Sequence, residues 1–320
     1  MNNVLVTGAN GFIGRALCER MLIEGCKIRG TVRSSINLND IPSGVYGIQI
    51  GSIGPDTNWK EALIGVDMVV HLVSPMRLMK DSLSKPFAEY QKVNAMGSKR
   101  LVLTAAELGV KRFIFMSSVK VNGEENIRAY KESDTPAPKD SYGISKMQAE
   151  KLIKEISAES DMDFVILRPP LVFGPGVKAN FLELIKTVYK GIPLPLGNID
   201  NQRSLIYLEN LVDAVLTCMK HPRAAGQTYF VSDDEDISTP ELIRKIASAL
   251  AKPARLFFFP KFFLSILGRL VGKGPMVDSL TKSLTVDISE IKEQLGWRPP
   301  FTMEQGLQKT AEWYLNERRR

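Results

Sequence analysis

Tyr142 and Lys146 stand four residues apart, so a helix over this segment places a phenol and an ammonium on one face. A free phenol titrates near pH ~10, and bringing it to about neutrality takes roughly three pK units, or about 4 kcal/mol. An ammonium about 4 Å away supplies on the order of 4 kcal/mol at an effective dielectric of ~20. One lysine is therefore expected to make the phenol a usable proton donor. With eight tyrosines in the chain, a Tyr-x-x-x-Lys spacing also arises by accident, so its meaning depends on its surroundings. Upstream, Ser118 ends a strand-like run and offers a hydroxyl to a reacting oxygen. It lacks a base to make it a nucleophile: His71 ends an apolar strand and His221 a helix, where structural roles are expected.

These residues need elements to hold them. Val4 to Val6 reads as a strand, Thr7 to Gly14 as a glycine turn, and Arg15 to Glu24 as a helix. That order suits a dinucleotide, because glycines let the backbone approach a pyrophosphate and the helix start offers unpaired N–H groups. The spacing is Gly8-x-x-Gly11-x-x-Gly14. A second strand, Lys27 to Val32, ends in Arg33 and two serines rather than the acid that usually meets the adenosine ribose. A guanidinium there suits a 2′-phosphate, which favours NADP, with NAD as the alternative.

Further strands are expected at 47–50, 67–73, 112–116 and 164–167, with helices at 59–63, from Pro86 to Leu108, and after Pro138. Strands rich in valine and isoleucine, separated by helices, imply a parallel sheet covered on both faces. Gly8, Ser74 and Ser118 then fall at carboxyl ends of strands, where ligands gather in such sheets. After Arg168-Pro169-Pro170 the prolines and glycines multiply. A first domain over 1–167 and a smaller one over 168–320 are expected, partly interleaved because 210–221 reads as a helix packing back on the sheet. Ser238-x-x-Glu241 and Thr302-x-x-Gln305 are capping signals for late helices.

Composition narrows the classes. A chain of 320 residues with 44% hydrophobic and 24% charged residues is an ordinary globular protein. Its net charge of +7 includes the terminal Arg318 to Arg320 and suits small polyanions; no basic stripe with aromatics points to nucleic acid. Three cysteines without metal-like spacing suggest a reducing cytoplasm and no metal site. Leu256 to Val271 is the most apolar stretch, interrupted by Pro260, Lys261 and Arg269. It is short for a membrane span and is read as a buried helix in preference to a surface anchor.

With Gly8-x-x-Gly11-x-x-Gly14, Asn94, Ser118 and Tyr142-x-x-x-Lys146 in that order, nearly the whole chain resembles the extended short-chain dehydrogenases/reductases, the nucleotide-sugar epimerase/dehydratase family. The resemblance implies an α/β fold, a Rossmann-type doubly wound parallel sheet with a smaller C-terminal substrate domain. Gly8, Gly11, Phe12, Ile13 and Gly14 would cradle the cofactor, Val73 and Ser74 would lie along it, and Lys146 would bind its nicotinamide ribose. Asn94 would support the site. Asn180 and Arg203 would meet the diphosphate of a nucleotide sugar, UDP-linked by expectation. A homodimer through helices 86–108 and 140–158 is also implied.

Some positions depart from the family pattern. Ser52 replaces a common aspartate, Asn122-Gly123 replaces Tyr-Gly, and Met76 and Arg77 stand where hexose 4-epimerases carry a lysine. Lys120-Val-Asn-Gly123-Glu124 is similar to bacterial 4-reductases that make UDP-N-acetylquinovosamine. The expected activity is therefore reduction of a UDP-4-keto-6-deoxy-N-acetylhexosamine by NADPH, with Tyr142 giving its proton to the oxygen and Ser118 orienting it. The alternatives are a 4-epimerase using the same residues and a dinucleotide-binding protein without catalysis.

Overall fold

The computed structural model describes residues 2–75, 84–270, 272 and 274–319. Met76 and Arg77, the departures noted above, lie outside the described residues.

Among the described residues, ten strands form two sheets. They are β1 (Asn3–Thr7), β2 (Lys27–Val32), β3 (Tyr46–Gln49), β4 (Met68–His71), β5 (Arg112–Met116), β6 (Asp163–Arg168), β7 (Leu171–Phe173), β8 (Arg203–Tyr207), β9 (Gln227–Phe230) and β10 (Asp236–Ile237). Seven of them make one parallel sheet in the order β3-β2-β1-β4-β5-β6-β9. The order reverses beside β1, and ligands of open parallel sheets sit at such a switch, outside the carboxyl ends of the strands. Val6 lies opposite Gly30 on one side and Val70 on the other. The inner strands are buried over most of their length, β5 throughout and β1 from Val4 on, which is why they read as apolar runs.

Helices cover both faces. On one, Phe12–Ile23 and Leu208–Lys220 pack over a core that includes Val4, Val6, Val70, Ile114 and Val215. On the other, Ser98–Glu107 and Ser141–Ala158 cover Leu5, Val69, Phe113 and Phe115. The Leu208–Lys220 helix and β9 thus return from the second half of the chain to the large sheet. Strands β10, β8 and β7 form the small sheet, whose own core holds Phe173, Phe181, Tyr207 and Leu307. Both late helix starts are capped as the sequence signals. Ser238 Oγ accepts from Glu241 N at 3.3 Å, and Thr302 and Gln305 exchange bonds of 2.9 and 3.2 Å.

The stretch at 256–271 departs from the buried-helix expectation. Lys261–Leu270 is helical, yet Phe258 is 72%, Phe262 70% and Leu270 77% exposed. Leu264 packs toward the second core, whereas Phe262, Phe263, Ile266 and Leu270 are largely exposed. No helix among the described residues is long and apolar enough to cross a membrane.

Candidate active site

The glycine turn fits a dinucleotide. Gly8 has φ +72°, a conformation natural to glycine, and a Cβ there would lie 3.2 Å from the Val73 side chain. A Cβ on Gly14 would collide with the Gly8 carbonyl oxygen. Gly11, at the N-cap of the Phe12–Ile23 helix, supplies no side-chain cap, and the first turn holds no acid. Its unpaired N–H groups are therefore open to a pyrophosphate. Phe12 faces the other half of the chain, since a Cβ on Gly176 would sit 3.6 Å from its ring. Ile13 packs against the main core. Arg33 lies just past β2 with its side chain exposed.

Ser118 and Tyr142 come together because two segments are clamped. Asp140 caps the Ser141–Ala158 helix by accepting from Gly143 N at 2.7 Å, and its other oxygen takes a 2.6 Å bond from Lys120 Nζ. Lys120 follows β5 and Ser118, so this ion pair ties the strand end to the helix start. A Cβ on Gly143 would lie 2.5 Å from Lys120 O, so only glycine permits the approach. Below, a buried cluster fixes the strand ends. Glu150 accepts from Ser117 Oγ at 2.5 Å and from Arg168 Nε at 2.9 Å, while Arg168 also donates to Asn122 Oδ1 at 3.0 Å.

Ser118 and Ser74 both act on the Tyr142 phenol through their hydroxyls, favouring its anion, but burial outweighs them and pushes the phenol up to about 12. Ser74 Oγ, although close, makes no well-formed hydrogen bond and is buried without a partner. The Tyr90 ring meets Tyr142 edge-on at 5.7 Å. Asn94 lies in a π-helical turn, Gln91–Gly97, a distortion that often marks functional positions. Asn94 Nδ2 donates to Ser145 Oγ at 2.9 Å, and Ser145 Oγ donates to Tyr142 O at 2.7 Å. The bonds through Ser145 hold the helix turn that carries the phenol.

Lys146 corrects the electrostatic expectation. Its Nζ donates to Met116 O at 2.8 Å and lies 4.5 Å over the Phe115 ring, and burial rather than this charge dominates the phenol. Burial pushes its ammonium down to about 7, opposed by Glu150. The i, i+4 spacing puts both side chains on one face, but the strand end beneath captures the amine. An ammonium has three donors, so the Met116 bond leaves others for a ribose.

The histidines are structural. His71 is bonded by Thr7 Oγ1 at 2.7 Å and Ser98 Oγ at 2.8 Å, and burial drives it down to about 3. His221 Nδ1 accepts from Arg223 N at 3.2 Å.

The residues expected to hold substrate lie in the second half of the chain. Asn180 is the second residue of the Ala179–Tyr189 helix, whose N-cap Lys178 gives no side-chain cap. Arg203 opens β8, is held by Lys282 O at 3.2 Å and has no carboxylate partner among the described residues. Burial lowers its affinity for its proton. An open cleft of about 1100 Å³ lies between the 122–139 segment and 281–283, lined in part by Asn122, Lys139, Asn201, Lys261 and Lys282. Ser118 and Tyr142 do not line it.

Sequence reasoning missed Tyr90, Ser145, Glu150 and the Lys120–Asp140 clamp. Only Ser145, inside the Tyr-x-x-x-Lys stretch, carried a local signal.

Comparison with known proteins places the chain in a family. The chain is 42% identical to the UDP-glucose 4-epimerase of Vibrio cholerae over 99% of its own length and 97% of the relative's. It is 29% identical to the N-acetyl-alpha-D-glucosaminyl-diphospho-ditrans,octacis-undecaprenol 4-epimerase of Escherichia coli O157:H7, over 98% and 95%. The fold matches UDP-glucuronic acid 4-epimerase of Bacillus cereus, solved with UDP-glucuronic acid and NAD, with a TM-score of 0.81 at 22% identity over 98% and 99% of the two chains. The profile of the NAD dependent epimerase/dehydratase family matches residues 4–232, and the chain belongs to that family.

Proposed function

We propose that the chain is a UDP-hexose 4-epimerase. The observation that carries this reading is that Ser118, just past the end of β5, lies near enough to act on the Tyr142 phenol at the start of the Ser141–Ala158 helix, in a chain so similar over its full length to a UDP-glucose 4-epimerase. NAD held by the glycine turn at 8–14 would supply a reversible hydride acceptor for position 4 of the sugar. Tyr142 takes the proton of the position 4 hydroxyl and later returns it. Ser118 holds that oxygen at a fixed distance from the phenol.

A phenol at about 12 is well suited to giving its proton, and taking one requires positive charge nearby. Lys146, poised at about 7, is partly charged at neutral pH and supplies it when its Met116 bond is exchanged for a ribose hydroxyl. Gly8, Gly11, Phe12, Ile13 and Gly14 hold the pyrophosphate side, with Val73 and Ser74 along the cofactor. The unpartnered Ser74 hydroxyl is a donor waiting for that contact. Asn180 and Arg203 hold the UDP diphosphate, where a fork of guanidinium donors meets two oxygens.

The full-length likeness to a UDP-glucose 4-epimerase supports this reading over the 4-reductase one. Lys120 and Glu124, which bound the segment similar to 4-reductases, pair with each other at 2.7 Å, and Lys120 also serves the clamp to Asp140. Val119 is buried and Lys120 engaged, so the acid and base that a 4,6-dehydratase needs beside the serine are lacking as well. The relatives support NAD, while the exposed Arg33 would accept the phosphate of NADP; affinities for both, in the native chain and in Arg33→Ala, separate these.

The test is cofactor turnover. UDP-glucose with trace NAD should give the 4-epimer with no net absorbance of reduced nicotinamide. Stoichiometric consumption of reduced cofactor with a UDP-4-keto-6-deoxy sugar, and no epimer, would restore the reductase.

A further inference from the structure

A largely exposed apolar face rises beside the cleft, on a helix that packs against Gly274–Thr281. Phe258 is 72%, Phe262 70%, Phe263 55%, Ile266 40% and Leu270 77% exposed. At 3.6 residues per turn, Phe262, Ile266, Leu270 and Phe263 fall within an arc of about 100°. Leu264 points the opposite way and packs on the second core. At about 200 Å² per phenylalanine, the exposed fractions of Phe257, Phe258, Phe262 and Phe263 leave on the order of 500 Å² of aromatic surface. That is near the largest apolar patch an ordinary monomer exposes, and such patches mark interaction sites.

The segment leading into it is fixed to the domain. Leu194 N donates to Arg255 O at 2.8 Å, Phe257 N to Leu194 O at 3.1 Å and Gly197 N to Phe257 O at 3.0 Å. A Cβ on Gly197 would lie 2.9 Å from Phe257 O, so the two segments are in contact. The phenylalanines are therefore presented from an anchored base.

Charge decides what fits. From Ala251 to Val277 the sequence holds Lys252, Arg255, Lys261, Arg269 and Lys273, and the first acid is Asp278, on the following helix, where Lys282 pairs with it. Arg269 sits at the edge of the apolar arc and Lys261 at its start, both exposed. Apolar rings whose nearest charges along the chain are cations match a bilayer with anionic headgroups.

We infer that the Lys261–Leu270 helix is an interfacial element that docks the enzyme on an anionic lipid bilayer. Its phenylalanines enter the headgroup boundary while its cations meet lipid phosphates. Because Lys261 also lines the cleft, docking brings the cleft mouth to the membrane surface.

The test is cosedimentation of the purified full-length chain with vesicles of phosphatidylethanolamine and phosphatidylglycerol, against vesicles of phosphatidylcholine alone. The chain should pellet with the anionic vesicles and less so as salt rises. The triple variant Phe258→Ser, Phe262→Ser, Phe263→Ser should lower partitioning by roughly tenfold or more, with turnover of soluble UDP-sugar unchanged. Native chain that stays in the supernatant with anionic vesicles overturns the inference, as does a triple variant that binds equally well. A triple variant that falls from dimer to monomer on size exclusion overturns it too, because a second copy would then cover the face. If the triple variant does not fold, Phe262→Ser alone and the salt series on the native chain carry the same test. A chain that pellets but turns over no sugar removes the proposed function and leaves the docking intact.

Discussion

Replacing Lys146 with methionine should raise stability at neutral pH while abolishing turnover. The side chain is 1% exposed, and burial lowers its ammonium from 10.5 to about 7. That difference corresponds to a penalty on the order of 5 kcal/mol for holding the charged form in the fold. The unfolded chain keeps the extra proton between pH 7 and 10.5, so native stability rises with pH across that window. Below pH 7 the penalty is fully present; above 10.5 both states are neutral and it is gone. Methionine removes the penalty but leaves Met116 O without its 2.8 Å donor, a loss of about 1–3 kcal/mol. The variant should therefore gain about 2–4 kcal/mol at pH 7, and the gain should disappear toward pH 10.5. Urea unfolding of both proteins across this range reads it directly. Parallel stability profiles, or a variant weaker at pH 7, would refute the burial cost assigned to this lysine.

Other consequences follow from the same geometry. Tyr142→Phe should cut turnover by two to four orders of magnitude, about the contribution of a positioned proton donor, with NAD binding by calorimetry nearly unchanged. Glu150→Gln uncovers the charge of Arg168 in a site where both side chains are 4% exposed. It should cost about 3–5 kcal/mol in chemical denaturation. Arg203→Ala should raise KM for UDP-glucose by about tenfold to a hundredfold with a smaller change in kcat, since a charge-assisted bond to the diphosphate contributes about 1.5–3 kcal/mol; equal KM values would remove Arg203 from the substrate site.

Local patterns carried the parallel sheet and the glycine turn. Strand runs such as Arg112–Met116 are buried on both faces and so read as apolar throughout, and the Gly8 turn needs a conformation that only glycine adopts freely. What depends on contacts between distant segments was not legible. The spacing of Tyr142 and Lys146 gave their common face but could not show that Met116 O takes the amine. Glu150 and Arg168 are paired by the packing of a helix on a strand, which no local period encodes. The 256–271 stretch was misread because helical periodicity tells which residues share a face, not which face meets the core. Reductase and epimerase use the same serine, tyrosine and lysine, so the motif alone could not separate them.

The most direct measurement follows the hydrogen at position 4. UDP-glucose carrying deuterium there should be converted by the enzyme, in ordinary water with unlabelled reduced cofactor free in solution, to a 4-epimer that still holds its deuterium by NMR. Loss of the label to water, or its appearance in the free cofactor pool, would contradict epimerisation by a hydride that leaves and returns within one closed site.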